Sequence, residues 1–126
     1  MTCMEDWITA YGDKIDGVIS ENDDMALGAI EALRGAGMTA DEDHVLVYGI
    51  DGLYQGCKAI KEGSIQASAY QNSNDYAEAA LTRIQKLESG EMKPSDTEDL
   101  TFGASYIDAS NVDEFLTYYE ENGMAQ

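Results

Sequence analysis

Polar side chains that can bind hydroxyl groups follow three predicted strands in this chain. Asn22 comes after a short apolar run, Asp51 ends the next run, and Gln71 follows the third. An ionised Asp offers two acceptor oxygens, and the amides of Asn and Gln offer both donors and acceptors. A hydroxyl group both donates and accepts, and it bonds more strongly to a charged acceptor. No Arg or Lys accompanies these residues, so they suit a neutral polyhydroxylated ligand.

The elements that must position these residues alternate along the chain. The apolar spacing predicts helices at 2–12, 23–34, 54–62, 74–89 and 112–122 and strands at 16–20, 45–49, 64–70 and 100–107. This order predicts an α/β fold with a mostly parallel sheet and helices on both faces. The carboxyl ends of parallel strands share one edge of the sheet, where ligands bind. Asn22, Asp51 and Gln71 are therefore expected together at that edge.

Each of these positions also has a simpler structural explanation. Asn22, Asp23 or Asp24 can cap the following helix. Asp51 and the Gly after it form a common turn dipeptide, and Gln71 by itself indicates nothing. Because all three positions fall at successive strand ends, the set still favours a binding site.

Motifs for catalysis or metal binding do not occur in the sequence. It contains no Ser-His-Asp set and no glycine-rich phosphate loop after a strand, and His44 is its only histidine. Cys3 and Cys57 lack metal-ligand or CxxC spacing, so free, buried thiols are predicted rather than a disulfide. We therefore expect no enzyme activity, no metal and no cofactor.

The charge of the chain limits its partners. The net charge is −18, from 25 acidic and 7 basic residues. Such a surface repels phosphate backbones and anionic lipid, so binding to nucleic acid or to a membrane surface is not expected. No apolar run approaches the roughly 18 residues that span a bilayer. The first residues carry acids where a signal peptide needs a basic start and an apolar core, so this chain is expected to carry no export signal.

Three segments that contain these polar residues resemble one known family. VISENDDMALGAIEAL at 18–33, VYGIDG at 47–52 and GSIQASAYQN at 63–72 are similar to the sugar-binding proteins of ABC importers, the ribose- and galactose-binding type with the periplasmic-binding-protein-like I fold. The resemblance implies that Asn22, Asp51 and Gln71 contact the hydroxyls of a monosaccharide or polyol. It also implies that the parent protein works with an ABC permease and is periplasmic or lipid-anchored outside the cell.

A second class of proteins shares this fold. Regulators of the lactose-repressor type also have the NDxxALG block, but they usually read GxDD where this chain has Asp51 and Gly52. The sequence also lacks a DNA-binding helix-turn-helix. The transporter branch is favoured, and the alternative is a fragment of the effector-binding domain of such a regulator.

The resemblance further implies that the chain is a truncated, partial α/β domain. Family members clamp the sugar between two lobes. Residues 1–71 and 103–126 resemble part of the C-terminal lobe, and 72–102 resembles a helix and linker that belong to the other lobe. The strand at 16–20 would then lie at an open sheet edge, which invites pairing with another chain. We therefore expect a homo-oligomer, and weak or no sugar binding by this chain alone.

Overall fold

A computed structural model describes residues 2–39, 45–96, 99–103 and 105–125. His44, for which no metal role was expected, lies outside these residues. The chain divides into two compact units, one of Met1–Tyr70 with Ser105–Gln126 and one of Gln71–Ala104. The assignment of the second unit to another lobe stays a prediction.

The first unit is built on a four-stranded sheet. Its strands are β1 (Gly17–Ile19), β2 (Leu46–Asp51), β3 (Ala67–Tyr70) and β4 (Ser105–Asp108), in the spatial order β1-β2-β3-β4. Strands β1, β2 and β3 are parallel, and β4 is antiparallel to β3. Its helices are α1 (Thr2–Tyr11), α2 (Asp23–Gly35), α3 (Tyr54–Lys61) and α5 (Val112–Glu121), with a 3₁₀ turn at Gly12–Lys14. The prediction of a mostly parallel sheet flanked by helices is confirmed.

The core lies between the sheet and helices α2, α3 and α5. Apolar side chains of α2 recur at helical spacing, and Leu33 is completely buried there. Val47 of β2 and Ile107 of β4 are buried opposite the helices. Because side chains alternate along a strand, the neighbours Tyr48 and Tyr106 lie on the other face, where both are exposed. The prediction that helices also cover this second face of the sheet stays a prediction.

Strand β4 differs from its predicted length. The sequence predicted a strand at 100–107, but in the described residues only Ser105–Asp108 is extended in the sheet. Its four residues pair with the four residues of β3, from Ala67 opposite Asp108 to Tyr70 opposite Ser105. The length of β4 is therefore set by its partner strand, which apolar content alone does not reveal.

The second unit contains one long helix, α4 (Ser73–Ser89). Asn72 caps it by accepting a hydrogen bond from the Asn74 N–H at 3.1 Å, so the helix begins one residue before the predicted start at 74. Gly90 ends the helix with a positive φ of 78°, as is typical of a helix C-terminus. None of its residues is buried.

Candidate ligand-binding site

Asn22 is the N-cap of α2. Its backbone is extended (φ −158°, ψ 167°), and its side-chain Oδ1 accepts a hydrogen bond from the Met25 N–H at 2.8 Å. The capping explanation is therefore correct for this residue. The side chain is only half buried, and the cap uses its oxygen. Because an amide oxygen has two acceptor sites and the cap uses one, the second site and the Nδ2 donor remain for a ligand.

Asp51 ends β2 in an unusual backbone conformation. Its φ is 103°, in the left-handed region that favours glycine. For a residue with a side chain this conformation costs about 1–3 kcal/mol, and it persists only where the surrounding structure imposes it. Such residues cluster at binding and active sites. The conformation therefore singles out Asp51 at the edge where ligands of parallel sheets bind.

Gly52 makes the turn after Asp51 possible. Its φ is 70°, and a Cβ at this position would come within 2.8 Å of both the Ile107 Cδ1 and the Tyr70 Cδ2. Only glycine fits there without displacing the core. The turn explanation for this dipeptide is therefore correct as well, and the turn is packed directly on the core.

Hydrogen bonds from three elements hold this turn. The Gly52 N–H donates to Ser68 Oγ of β3 at 3.1 Å, and the Gly52 carbonyl accepts from Tyr119 Oη of α5 at 2.6 Å. The Leu53 N–H donates to Asp23 Oδ2 of α2 at 2.7 Å. The last bond joins the residues that follow the Asn22 cap to those that follow Asp51. The structure thus brings the first two predicted site segments together.

Asp23 has a role that the sequence did not indicate. Its side chain is completely buried, and its Oδ1 accepts a hydrogen bond from Ser68 Oγ at 2.6 Å. It is therefore neither the helix cap nor a ligand-facing group. Burial raises the pKa of Asp23, while the hydrogen bonds from Ser68 and Leu53 oppose that rise and the nearby Asp51 charge adds to it.

Gln71 directly follows Tyr70, the register partner of Asp51 in the sheet. It is the first residue of the second unit. Within that unit its Oε1 accepts a hydrogen bond from Tyr76 Oη at 3.5 Å, and its side chain is exposed. Its participation in a site with Asn22 and Asp51 stays a prediction.

The thiols differ from each other. Cys57 is buried and Cys3 is exposed, and both are free. The prediction of buried thiols is therefore correct for Cys57 and wrong for Cys3, which lies at the start of an exposed helix. Within the described residues, no group of His, Cys, Asp and Glu side chains is arranged to hold a metal ion. No described helix is both long and apolar enough to cross a bilayer.

Comparison with known families agrees with this architecture. The chain belongs to the periplasmic binding protein domain family, whose model matches residues 1–92 and so includes Asn22, Asp51 and Gln71. It is 41% identical over 88 residues to a xylitol-binding protein of Mycolicibacterium smegmatis. The aligned residues cover 70% of this chain and 24% of that protein. It is 36% identical over 91 residues to the ribose import binding protein of Salmonella typhimurium, covering 72% and 29% respectively.

Solved structures show the same fold. A galactofuranose-binding protein superposes with a TM-score of 0.80 at 28% identity, covering 99% of this chain and 41% of that one. An ABC transporter solute-binding protein from Bacillus halodurans with bound myo-inositol superposes with a TM-score of 0.77 at 31% identity, covering 94% and 38%. The chain thus spans about a quarter of the curated relatives it matches, at 24% and 29% of their lengths.

Proposed function

We propose that this chain is the C-terminal part of a solute-binding protein for ABC-type import of a monosaccharide or related polyol. In this proposal Asn22, Asp51 and Gln71 contact hydroxyl groups of the ligand. The observation that carries the proposal is Asp51, whose strained backbone (φ 103°) is held at a strand end next to the Asn22 cap. A side chain on a backbone that is already held in place needs less ordering when a ligand binds. The names of the relatives, which bind xylitol and ribose, support this ligand class.

The proposed mechanism is a non-catalytic clamp. A ligand that binds the closed arrangement of two lobes better than the open one shifts the population towards closure. The closed form would then present the ligand to an ABC permease outside the cytoplasmic membrane, in the periplasm or from a lipid anchor. A second lobe supplies the opposite half of such a clamp. The relatives named above favour this role over the effector domain of a lactose-repressor-type regulator.

Isothermal titration against xylitol, D-ribose and myo-inositol tests the proposal. In the longest natural protein that contains this sequence, we expect binding of at least one of these three probes. Asp51→Ala should lose about 2 kcal/mol, or about 30-fold in affinity, because a charged hydrogen-bond acceptor is removed. Asp24→Ala removes an exposed acid from the first turn of α2, two residues after Asn22, so it is the control and should change little. An unchanged affinity in Asp51→Ala would remove Asp51 from the site.

The 126-residue chain alone should bind these probes weakly or not at all. Without an opposite lobe the ligand stays partly hydrated, and its remaining hydroxyls have no protein partners. Micromolar binding by this chain would contradict the clamp.

We also propose that the chain on its own forms a homo-oligomer through β1. Within the described residues, β1 pairs only with β2, so its outer edge is open. Beside this edge Ile19 is 87% exposed, and Trp7 and Tyr11 are also exposed. A net charge of −18 opposes association, and salt screens that repulsion. Light scattering should therefore show association that rises with salt and falls in Ile19→Lys; a monomer at high concentration and high salt would refute it.

A further inference from the structure

We propose that Asp23 and Ser68 are positioning residues that orient the Asp51 carboxylate for the ligand. They do so by fixing the two peptide groups that follow Asp51 in the chain. This inference rests on the proposed role of Asp51 in ligand binding. It goes beyond that role because neither Asp23 nor Ser68 faces solvent, since their exposed fractions are 0% and 1%.

The space occupied by the Asp23 carboxylate is created by two glycines. A Cβ built on Gly49 of β2 or on Gly56 of α3 would overlap the carboxylate oxygens. Both glycines are buried, and neither has a positive φ, so backbone conformation does not require glycine at either position. The missing side chains instead leave a cavity that the carboxylate of α2 fills between β2 and α3.

Both oxygens of this carboxylate hold the turn after Asp51. Oδ2 accepts the Leu53 N–H directly at 2.7 Å, and Oδ1 accepts the Ser68 hydroxyl at 2.6 Å. Since that hydroxyl donates to Asp23, its oxygen is oriented to accept the Gly52 N–H at 3.1 Å. A hydroxyl provides one donor and two acceptor sites. Ser68 can therefore donate to Asp23 and accept from Gly52 at the same time. The N–H groups of both Gly52 and Leu53 thus depend on Asp23.

These bonds counter the strain at Asp51. A residue with φ 103° relaxes to negative φ unless its neighbours are held. Such a relaxation rotates the peptide planes on both sides of Asp51 and changes the direction in which its side chain leaves the backbone. Hydrogen bonds to a buried charged acceptor are stronger than those to a neutral one. A buried carboxylate at position 23 therefore fixes the turn more firmly than a neutral side chain would.

Two variants test this positioning role. Ser68→Ala removes the relay hydroxyl, and Asp23→Asn keeps the side-chain shape but replaces one acceptor with a donor. Asp24→Asn is the matched control because it removes the same charge at the next, exposed position. In the 126-residue chain, NMR measures amide hydrogen exchange at Gly52 and Leu53 and the backbone coupling constant that reports φ of Asp51.

We expect exchange at Gly52 to accelerate about tenfold or more in Ser68→Ala, with a changed φ coupling at Asp51, while amides in the middle of α2 stay within about twofold. Asp23→Asn should accelerate exchange at Leu53 in the same way. In the longest natural protein that contains this sequence, both variants should weaken binding of xylitol, D-ribose or myo-inositol about tenfold. Asp24→Asn should not weaken it. A purely structural role would change all amides equally and leave the coupling of Asp51 unchanged.

The outcomes separate the two proposals. If Asp51→Ala weakens probe binding but neither Ser68→Ala nor Asp23→Asn changes exchange, coupling or affinity, the positioning role is refuted and the binding role stands. If Asp51→Ala leaves affinity unchanged, the binding role of Asp51 is refuted, whatever Ser68→Ala and Asp23→Asn do to exchange and coupling. Should Ser68→Ala not fold, Asp23→Asn alone decides, and unchanged exchange at Leu53 would refute the inference.

Discussion

Replacing Gly56 by Ala should destabilise this protein, although the same change stabilises most helices. Gly56 lies inside α3, where Ala is ordinarily favoured over Gly by about 0.8–1 kcal/mol. Here the new methyl group would lie 2.6 Å from the Asp23 Cγ and overlap a carboxylate oxygen. Overpacking costs about 1–3 kcal/mol, and losing the Leu53 hydrogen bond to a charged acceptor costs about 1.5–3 kcal/mol. The expected net loss is about 1.5–5 kcal/mol.

Urea unfolding followed by circular dichroism measures this effect. Gly35→Ala is the matched control, because Gly35 ends α2 and nothing lies within 4 Å of a Cβ built there. It should stabilise by about 0.5–1 kcal/mol. In an Asp23→Ala background the methyl at position 56 has room, so the double variant should be more stable than the sum of the single changes predicts, by about 1–3 kcal/mol. Stabilisation by Gly56→Ala, as in Gly35→Ala, would show that the carboxylate does not occupy this cavity.

Two further predictions concern titratable groups. Burial raises the pKa of Asp23 above 3.8, so the stability that this group contributes is fully present below about pH 3.8 and is lost as the pH rises through its folded-state pKa. The unfolding free energy of the wild type, measured relative to that of Asp23→Asn, should therefore fall over this range by up to about 1.4 kcal/mol per pH unit; a relative rise would contradict it. Burial raises the pKa of Cys57 to about 11, so iodoacetamide at about pH 8 should label only the exposed Cys3 in the folded chain and both thiols in urea, as counted by mass spectrometry. Rapid labelling of Cys57 in the folded chain would contradict its burial.

The sequence predicted the helices of the first unit well because each has an apolar stripe and a recognisable end. Helix α2 was predicted at 23–34 and observed at Asp23–Gly35, since the Asn22 cap and the apolar residues at helical spacing are local signals. The parallel pairing of β1, β2 and β3 followed from the alternation of helices and strands. The antiparallel direction and short length of β4 were not predicted, because both depend on its pairing with β3.

The supporting network behind Asp51 was also not predicted. Asp23 appeared equivalent to Asn22 and Asp24, because all three residue types favour helix starts. A helix turns about 100° per residue, so consecutive side chains at its start point in different directions, and only Asp23 is directed into the core. Ser68 gave a weak signal, as a small polar residue in an otherwise apolar strand. Its meaning depends on Gly52 and Asp23, which lie far from it in the sequence.

If Asp51 binds the ligand as proposed, the two neighbouring carboxylates favour a neutral ligand over an anionic one. Burial is the main cause that raises the pKa of Asp23, and the nearby Asp51 charge adds to the rise through charge repulsion. A hydroxyl that donates to Asp51 disperses part of its charge and reduces that repulsion, whereas an anionic ligand adds to it. In the proposed site the two acids would disfavour an anionic ligand, while the positive φ of Asp51 and the hydrogen bonds to Gly52 and Leu53 hold the turn that carries Asp51. In this proposal, selection by charge needs only the first unit, but discrimination among neutral sugars would require groups on the other side of the ligand as well.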